Sequence, residues 1–414
     1  MTVTRRGLIQ GTLAAGLATM PGVRSLAFAA DGSPDVLVVV FLRGGADALS
    51  LVAPADDPDY LAARAPELRV ATEGPKAGLR LAQEMAPAID FRLHPEAAPL
   101  AELYAGRQLA IVHAVGLSDG TRSHFVAQDL MEHGIGQEGE LARTGTGWVA
   151  RWLDGDGARP PGPVAAVGTV AAPPATLARF GAAVAVPDLR AGLAPPGGPQ
   201  AADVLAALHH GESPYERAAR AALGGLSAID GHLSRGPDGK VESYGAEGGA
   251  VYEETEAGRA LQTVARILKM DVGLRVACVD VGGWDTHEHQ PGRFANAVGQ
   301  LSRALAAFHA DTVRYHGRVT LAVMSEFGRR LRTNRSQGTD HGHGGAMLVL
   351  GGRVAGGRMF GRWPGLASHQ LDRGVDLAVT TDYRAVLAEL VGPAAAARAF
   401  PGFRTPPPLG LQTG

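Results

Sequence analysis

The chain has 414 residues, is 45% hydrophobic and carries a formal net charge of −2. That balance excludes a disordered chain and gives no electrostatic reason to expect nucleic acid as a partner. A single cysteine, Cys278, excludes a disulfide scaffold, and 57 glycines predict many tight turns and loops that approach other groups closely.

The N-terminus reads Thr4-Arg5-Arg6-Gly7-Leu8-Ile9, continues as a weakly apolar run to Met20 and reaches Ala27-Phe28-Ala29 just before Asp31. A charged region, an apolar region and a small-residue cleavage site occur in the order of a twin-arginine export signal over residues 1–29. The expected course is engagement of the twin-arginine (Tat) translocase during export and a periplasmic or secreted product. The apolar run is too short and glycine-rich for an anchor, and no later stretch approaches the roughly 20 apolar residues of a spanning helix, so no stable membrane anchor is expected.

Asp35 to Leu42, DVLVVVFL, is a continuous β-branched apolar run, the pattern of a strand buried on both faces of a parallel sheet. Similar runs follow at Leu109 to Val115, Pro163 to Val167, Leu274 to Val281, Val319 to Met324 and Ala346 to Leu350. Between them, Ala97 to Arg107, Phe125 to Glu132, Val204 to His209, Glu254 to Met270, Ala295 to Tyr315 and Tyr383 to Val391 carry apolar residues at helical spacing. The alternation predicts an α/β fold with a mainly parallel sheet covered on both sides, and a ligand site beyond the carboxyl ends of its strands. Weak strand signals and Pro/Gly-rich flanks mark residues 155–250 as a mainly helical insertion within one domain spanning 30–414.

Polar and ionisable groups stand directly after the predicted strands. Asp47 lies five residues beyond Leu42, SDGTRSH (Ser118 to His124) opens a helix, GGWDTHEH (Gly282 to His289) follows Val281, and SEFGR (Ser325 to Arg329) precedes TDHGHG (Thr339 to Gly344). Carboxylates and imidazoles are donors for a borderline metal such as zinc or manganese, and separate strand ends can gather them without a local motif. The candidate ligands are Asp47, Asp285, His287, His289, Glu326, Asp340, His341 and His343; four of the 14 histidines fall in the runs His287/His289 and His341/His343. Read singly, Asp47 fits a turn or helix cap, and Glu326 fits a capping carboxylate beside a basic residue. Ser123 stands at a helix N-terminus, where backbone N–H groups favour an anion, and its hydroxyl is a candidate nucleophile; Ser123 or Thr121 equally fits the N-cap. His124 is a further donor, and Arg43, Arg122 and Arg329 fit either anion clamps or structural ion pairs.

The stretches FLRGGADALS, LHPEAAPL, SHFVAQDLM, GWDTHEHQ, SEFGRR and GTDHGHGGAMLVLGG, in order from Phe41 to Gly352, resemble the family catalogued as domain of unknown function 1501, exported bacterial proteins related to the alkaline phosphatase and sulfatase superfamily. The resemblance implies a three-layer α/β/α sandwich, alkaline-phosphatase-like, with a divalent ion (zinc, manganese or calcium) at the strand ends. It implies that Asp47 is the first ligand, Ser123 or Thr121 the nucleophile, Asp285 with His287 or His289 the next ligand pair, and His341 the last histidine. Glu326-Phe327 falls where the superfamily has Asp-His, and a phenyl ring cannot replace an imidazole, which weakens one of two metal positions.

Two functions follow as expectations: a metal-dependent hydrolase of small anionic phosphate or sulfate esters, or a non-catalytic periplasmic protein that binds a ligand or partner on the same scaffold. The turn Arg43-Gly44-Gly45-Ala46-Asp47 lacks the spaced glycines of a dinucleotide fingerprint.

Overall fold

All seven residues of the strand Val36–Leu42 are buried. Successive side chains of a strand point to opposite faces: Val36, Val38, Val40 and Leu42 enter one apolar cluster, and Leu37, Val39 and Phe41 enter another. The computed structural model describes residues 35–413 except 75, 141–144, 156–161 and 194–197. The expected export signal, 1–29, lies outside the described residues.

The strands are β1 (Val36–Leu42), β2 (Val52–Pro54), β3 (Leu79–Arg80), β4 (Phe91–Leu93), β5 (Leu109–Gly116), β6 (Ala166–Gly168), β7 (Ala183–Ala185), β8 (Val276–Val281), β9 (Val319–Ser325), β10 (Gly345–Gly351), β11 (Arg358–Phe360) and β12 (Thr381–Asp382). The helices are α1 (Ala48–Leu51), α2 (Pro58–Ala63), α3 (Ala98–Ala105), α4 (His124–Glu132), α5 (Trp148–Asp154), α6 (Gly198–Leu208), α7 (Pro214–Asp230), α8 (Glu256–Lys269), α9 (Gln290–Asp311), α10 (Tyr383–Val391) and α11 (Pro393–Ala399).

The main sheet runs β11-β5-β10-β9-β1-β8-β6-β7, with β12 also paired to β5. Every pairing in it is parallel except those of β10 with β5 and β9. Helices α3, α8 and α9 cover one face and α4, α5, α10 and α11 the other, giving three layers. This is the α/β/α sandwich with a mainly parallel sheet that the alternating pattern predicts. The reversed strand has a consequence for the site. Because β10 begins at Gly345 opposite Val115, the segment leading into it arrives at the edge where β1, β5, β8 and β9 end.

The middle of the chain differs from the expected, mainly helical insertion. It adds β6 and β7 to the edge of the sheet as well as α6 and α7. β6 overlaps the apolar run Pro163 to Val167, whereas the three-residue edge strand β7 carries too few residues for a period-2 signal. The same reason hides the small antiparallel sheet β2-β4-β3. Among the described residues no helix is long and apolar enough to cross a membrane.

Candidate metal centre

Glu326, the residue after β9, is fully buried. Its Oε1 accepts from the Gly44 N–H (2.9 Å), His124 Nδ1 (2.8 Å) and Gln128 Nε2 (2.8 Å), and its Oε2 accepts from the Ser325 hydroxyl (3.0 Å). An ionised carboxylate only accepts, so His124 Nδ1 carries the proton and Nε2 is left with a lone pair. That Nε2 is buried and has no hydrogen-bond partner. The same logic fixes His341: its Nδ1 lies 2.9 Å from the Arg122 carbonyl, an obligate acceptor, so Nε2 again presents a lone pair.

Both nitrogens face Asp285, carried by the loop after β8. Asp285 Oδ1 lies 3.2 Å from His341 Nε2 and 3.6 Å from His124 Nε2. His124, Asp285 and His341 each offer a ligand atom, and these atoms all lie within 4.8 Å of one another. With both rings neutral, two ring nitrogens and a carboxylate oxygen converge as acceptors, an arrangement that a cation relieves. The orphaned buried His124 Nε2, and the Glu326 carboxylate and Arg122 carbonyl that orient the rings from behind, fit a histidine-ligated metal and its supporting hydrogen bonds. The phenyl ring of Phe327 packs against both imidazoles, 4.9 Å, centroid to centroid, from His124 and from His341.

The electrostatics divide the two imidazoles, since a proton on His124 competes with an ion while His341 is held toward its neutral form. The hydrogen bond to Glu326 raises the His124 imidazole above its ordinary pKa, overcoming burial. Burial works to raise Glu326, but the hydrogen bonds from His124, Gln128 and Gly44 hold it below the usual range. Burial pushes His341 down, toward the neutral form that binds metals. Burial also acts to raise Asp285, and the guanidinium of Arg329 outweighs it.

His287 adjoins the cluster, with Nε2 2.8 Å from His341 Nε2 and 3.1 Å from Asp285. Since His341 Nε2 holds a lone pair, His287 is the donor in that contact. Asp340 sits behind it, Oδ1 at 3.4 Å from His287 Nδ1. Ser123 is the N-cap residue of α4, yet its hydroxyl makes no cap bond, which leaves it available beside His124. The Thr121 hydroxyl instead accepts the Ser123 N–H at 3.3 Å.

Several residues expected at the site have other roles. Asp47 is fully buried as the N-cap of α1, paired with Arg64 and bonded by Ser50 and Gln290, so its lone pairs face donors and a fixed cation rather than the cluster. Glu326 holds His124 and Gln128 from outside the three-donor group. Both ring nitrogens of His343 are engaged, Nε2 by the Leu117 carbonyl and Nδ1 by Asp372. His289 is exposed, in a left-handed conformation at the start of α9. Asp340 supports His287 from outside the three-donor group.

The arginines are structural as well. Arg43 is bound by Glu132 and Asp280, and Arg122 by Asp372 and Asp376. Arg329 is wholly buried and donates to the carbonyls of Gly44, Gly45, Trp284 and Thr339 and to Asp285. It pins the loops that carry the donors. The sequence contained no signal for Gln128, whose contribution depends on the helical turn that sets it one turn beyond His124.

Residues 35–392 match the model of the family described as Protein of unknown function (DUF1501), and the chain belongs to that family. No curated protein matches it significantly. Among solved structures it is similar to the C-terminal periplasmic domain of EcEptC from Escherichia coli in complex with Zn, at 8% identity and a TM-score of 0.38, covering 80% of this chain and 77% of that one. It is also similar to a protein in the alkaline phosphatase superfamily from Vibrio parahaemolyticus (11% identity, TM-score 0.32, 81% and 64% covered). A third likeness is to the lipoteichoic acid synthase LtaP from Listeria monocytogenes (6% identity, TM-score 0.34, 82% and 71% covered).

Proposed function

We propose that this chain is an exported hydrolase of phosphate or sulfate esters that works with one divalent ion held by His124, Asp285 and His341. The observation that carries the reading is the convergence of two imidazoles with fixed tautomers and one carboxylate, with an unpartnered buried His124 Nε2 among them. Two nitrogen donors and one oxygen suit zinc or manganese; calcium takes oxygen ligands. When bound, such an ion polarises an ester oxygen and lowers the pKa of a neighbouring hydroxyl. The chain supplies the rest. On this reading the Ser123 oxygen loses its proton to solvent and attacks phosphorus or sulfur as the bond to the leaving alcohol breaks. The first-turn N–H groups of α4 hold anionic oxygens, His287 beside the cluster protonates the departing oxygen, and water then releases the ester from Ser123.

One observation favours a second reading, a binding protein on the same scaffold: with Asp47 consumed by Arg64, the strand-end carboxylate for a second ion is missing. One experiment separates the two. Metal content of the exported protein is measured together with turnover of aryl phosphate and aryl sulfate esters before and after chelation. Bound zinc or manganese with turnover that the chelator abolishes supports the hydrolase; a folded protein with no turnover, with or without metal, removes the hydrolase and supports the binding protein.

A further inference from the structure

The fully buried Gln290 touches none of the three donors, yet it joins the loops that carry two of them. Its Nε2 donates to Asp47 Oδ2 at 2.6 Å, and its Oε1 accepts from the Thr339 hydroxyl at 2.7 Å. The direction of the amide follows from its partners, because the Asp47 carboxylate only accepts and so takes the nitrogen end. Gln290 lies three residues after His287, and Thr339 two residues before His341. The loops are also joined through backbone: Gln290 N–H to the Gln337 carbonyl (3.0 Å), His289 N–H to Ser336 (3.1 Å) and Thr339 N–H to Thr286 (3.4 Å). At the other end of the network, Asp47 is clamped by Arg64, whose Nη2 also reaches the Arg330 carbonyl at 3.2 Å.

We propose that Gln290 is a positioning residue of the metal centre: it ties the Asp285/His287 loop and the His341 loop to the Asp47–Arg64 pair, and so sets the separation of Asp285 from His341. The proposal rests on the metal reading above. Asp47 then acts on the centre through Gln290 and two loops. Buried amides and carboxylates are costly unless fully bonded, and here each is bonded in a chain that ends at Thr339, two residues before His341.

The test measures zinc affinity by chelator competition, and the absorption spectrum of the cobalt-substituted protein, for the native chain, Gln290→Met, Thr339→Val and Thr339→Ser. Loss of a group that orients metal ligands typically costs about 10–100-fold in affinity. Gln290→Met and Thr339→Val are expected to show that loss with an altered cobalt spectrum, while Thr339→Ser, which keeps the hydroxyl, stays near native. Thr339→Val covers the case in which Gln290→Met does not fold.

Tyr252→Phe serves as a control for general destabilisation. It removes a part-buried hydrogen bond to Asp311 at the other end of α9, about 30 Å from Gln290 at 1.5 Å per residue, and is expected to leave zinc affinity unchanged. Native zinc affinity and an unaltered cobalt spectrum in both Gln290→Met and Thr339→Val overturn the proposal while the metal reading stands. A native chain that binds no zinc or cobalt overturns both.

Discussion

The His124–Glu326 pair is the hinge of the site at the scale of single residues. In the ion-free protein the raised His124 pKa gives stability that is present below its unfolded value, about 6.5, and is lost as pH rises through the folded value. The depressed Glu326 pKa gives stability present above its unfolded value, about 4.3, and lost as pH falls through the folded one. The pair therefore stabilises most between those values, in mildly acidic solution. Glu326→Gln removes the charge that produces both effects, so its thermal melting in chelator should vary less with pH on both sides of that window; melting curves that track the native ones at every pH would sink this account. Asp47 makes a second prediction of the opposite kind. Breaking its buried pair with Arg64 should cost about 3–5 kcal/mol in denaturant unfolding, because an uncompensated guanidinium stays inside. A marginal loss would mean that Arg64 finds another partner.

At the scale of elements, the turn after β1 decides where Asp285 sits. Gly44 adopts φ +124°, and a Cβ there would lie 2.4 Å from the Asp285 backbone nitrogen and 2.8 Å from the Trp284 carbonyl carbon. Both atoms are backbone and cannot rotate away, so Gly44→Ala must separate the β1 turn from the β8 loop. It is expected to weaken zinc binding by at least about tenfold, as loss of a ligand-positioning group does; native affinity in a folded Gly44→Ala chain would show that the loop tolerates the shift. Chemistry-bearing loops were legible in the sequence because each adjoins a run of continuous apolar residues, and strand ends are where such a fold puts its ligands. Sequence spacing did not distinguish a donor from its support. Asp47 and His343 share residue type with the donors Asp285 and His341, Glu326 is a carboxylate like Asp285, and all three differ in what lies behind them: Arg64, the Leu117 carbonyl, and a helix turn bearing His124 and Gln128. Those partners are 17 to 226 residues away along the chain, beyond any local pattern.

At the scale of the whole molecule, the donors come from segments separated by most of the chain. His124 opens α4 after β5, Asp285 follows β8, and His341 precedes the reversed strand β10, so no two of them are fixed together until the sheet has assembled. An ion that needs all three binds the folded state and not the unfolded one, and its binding adds directly to stability. With free zinc at about 100 times its dissociation constant the gain is about 2.7 kcal/mol, which for a chain of this size should raise Tm by a few degrees. The rise should shrink in acid, since the imidazoles must lose their protons to bind, and it should begin to fail as pH drops through the raised His124 pKa. His341→Ala leaves two donors and should melt at the same temperature with or without zinc. If zinc stabilises the native and His341→Ala chains equally, the ion sits elsewhere on the molecule, and the strand-end cluster is a hydrogen-bonded network without a metal.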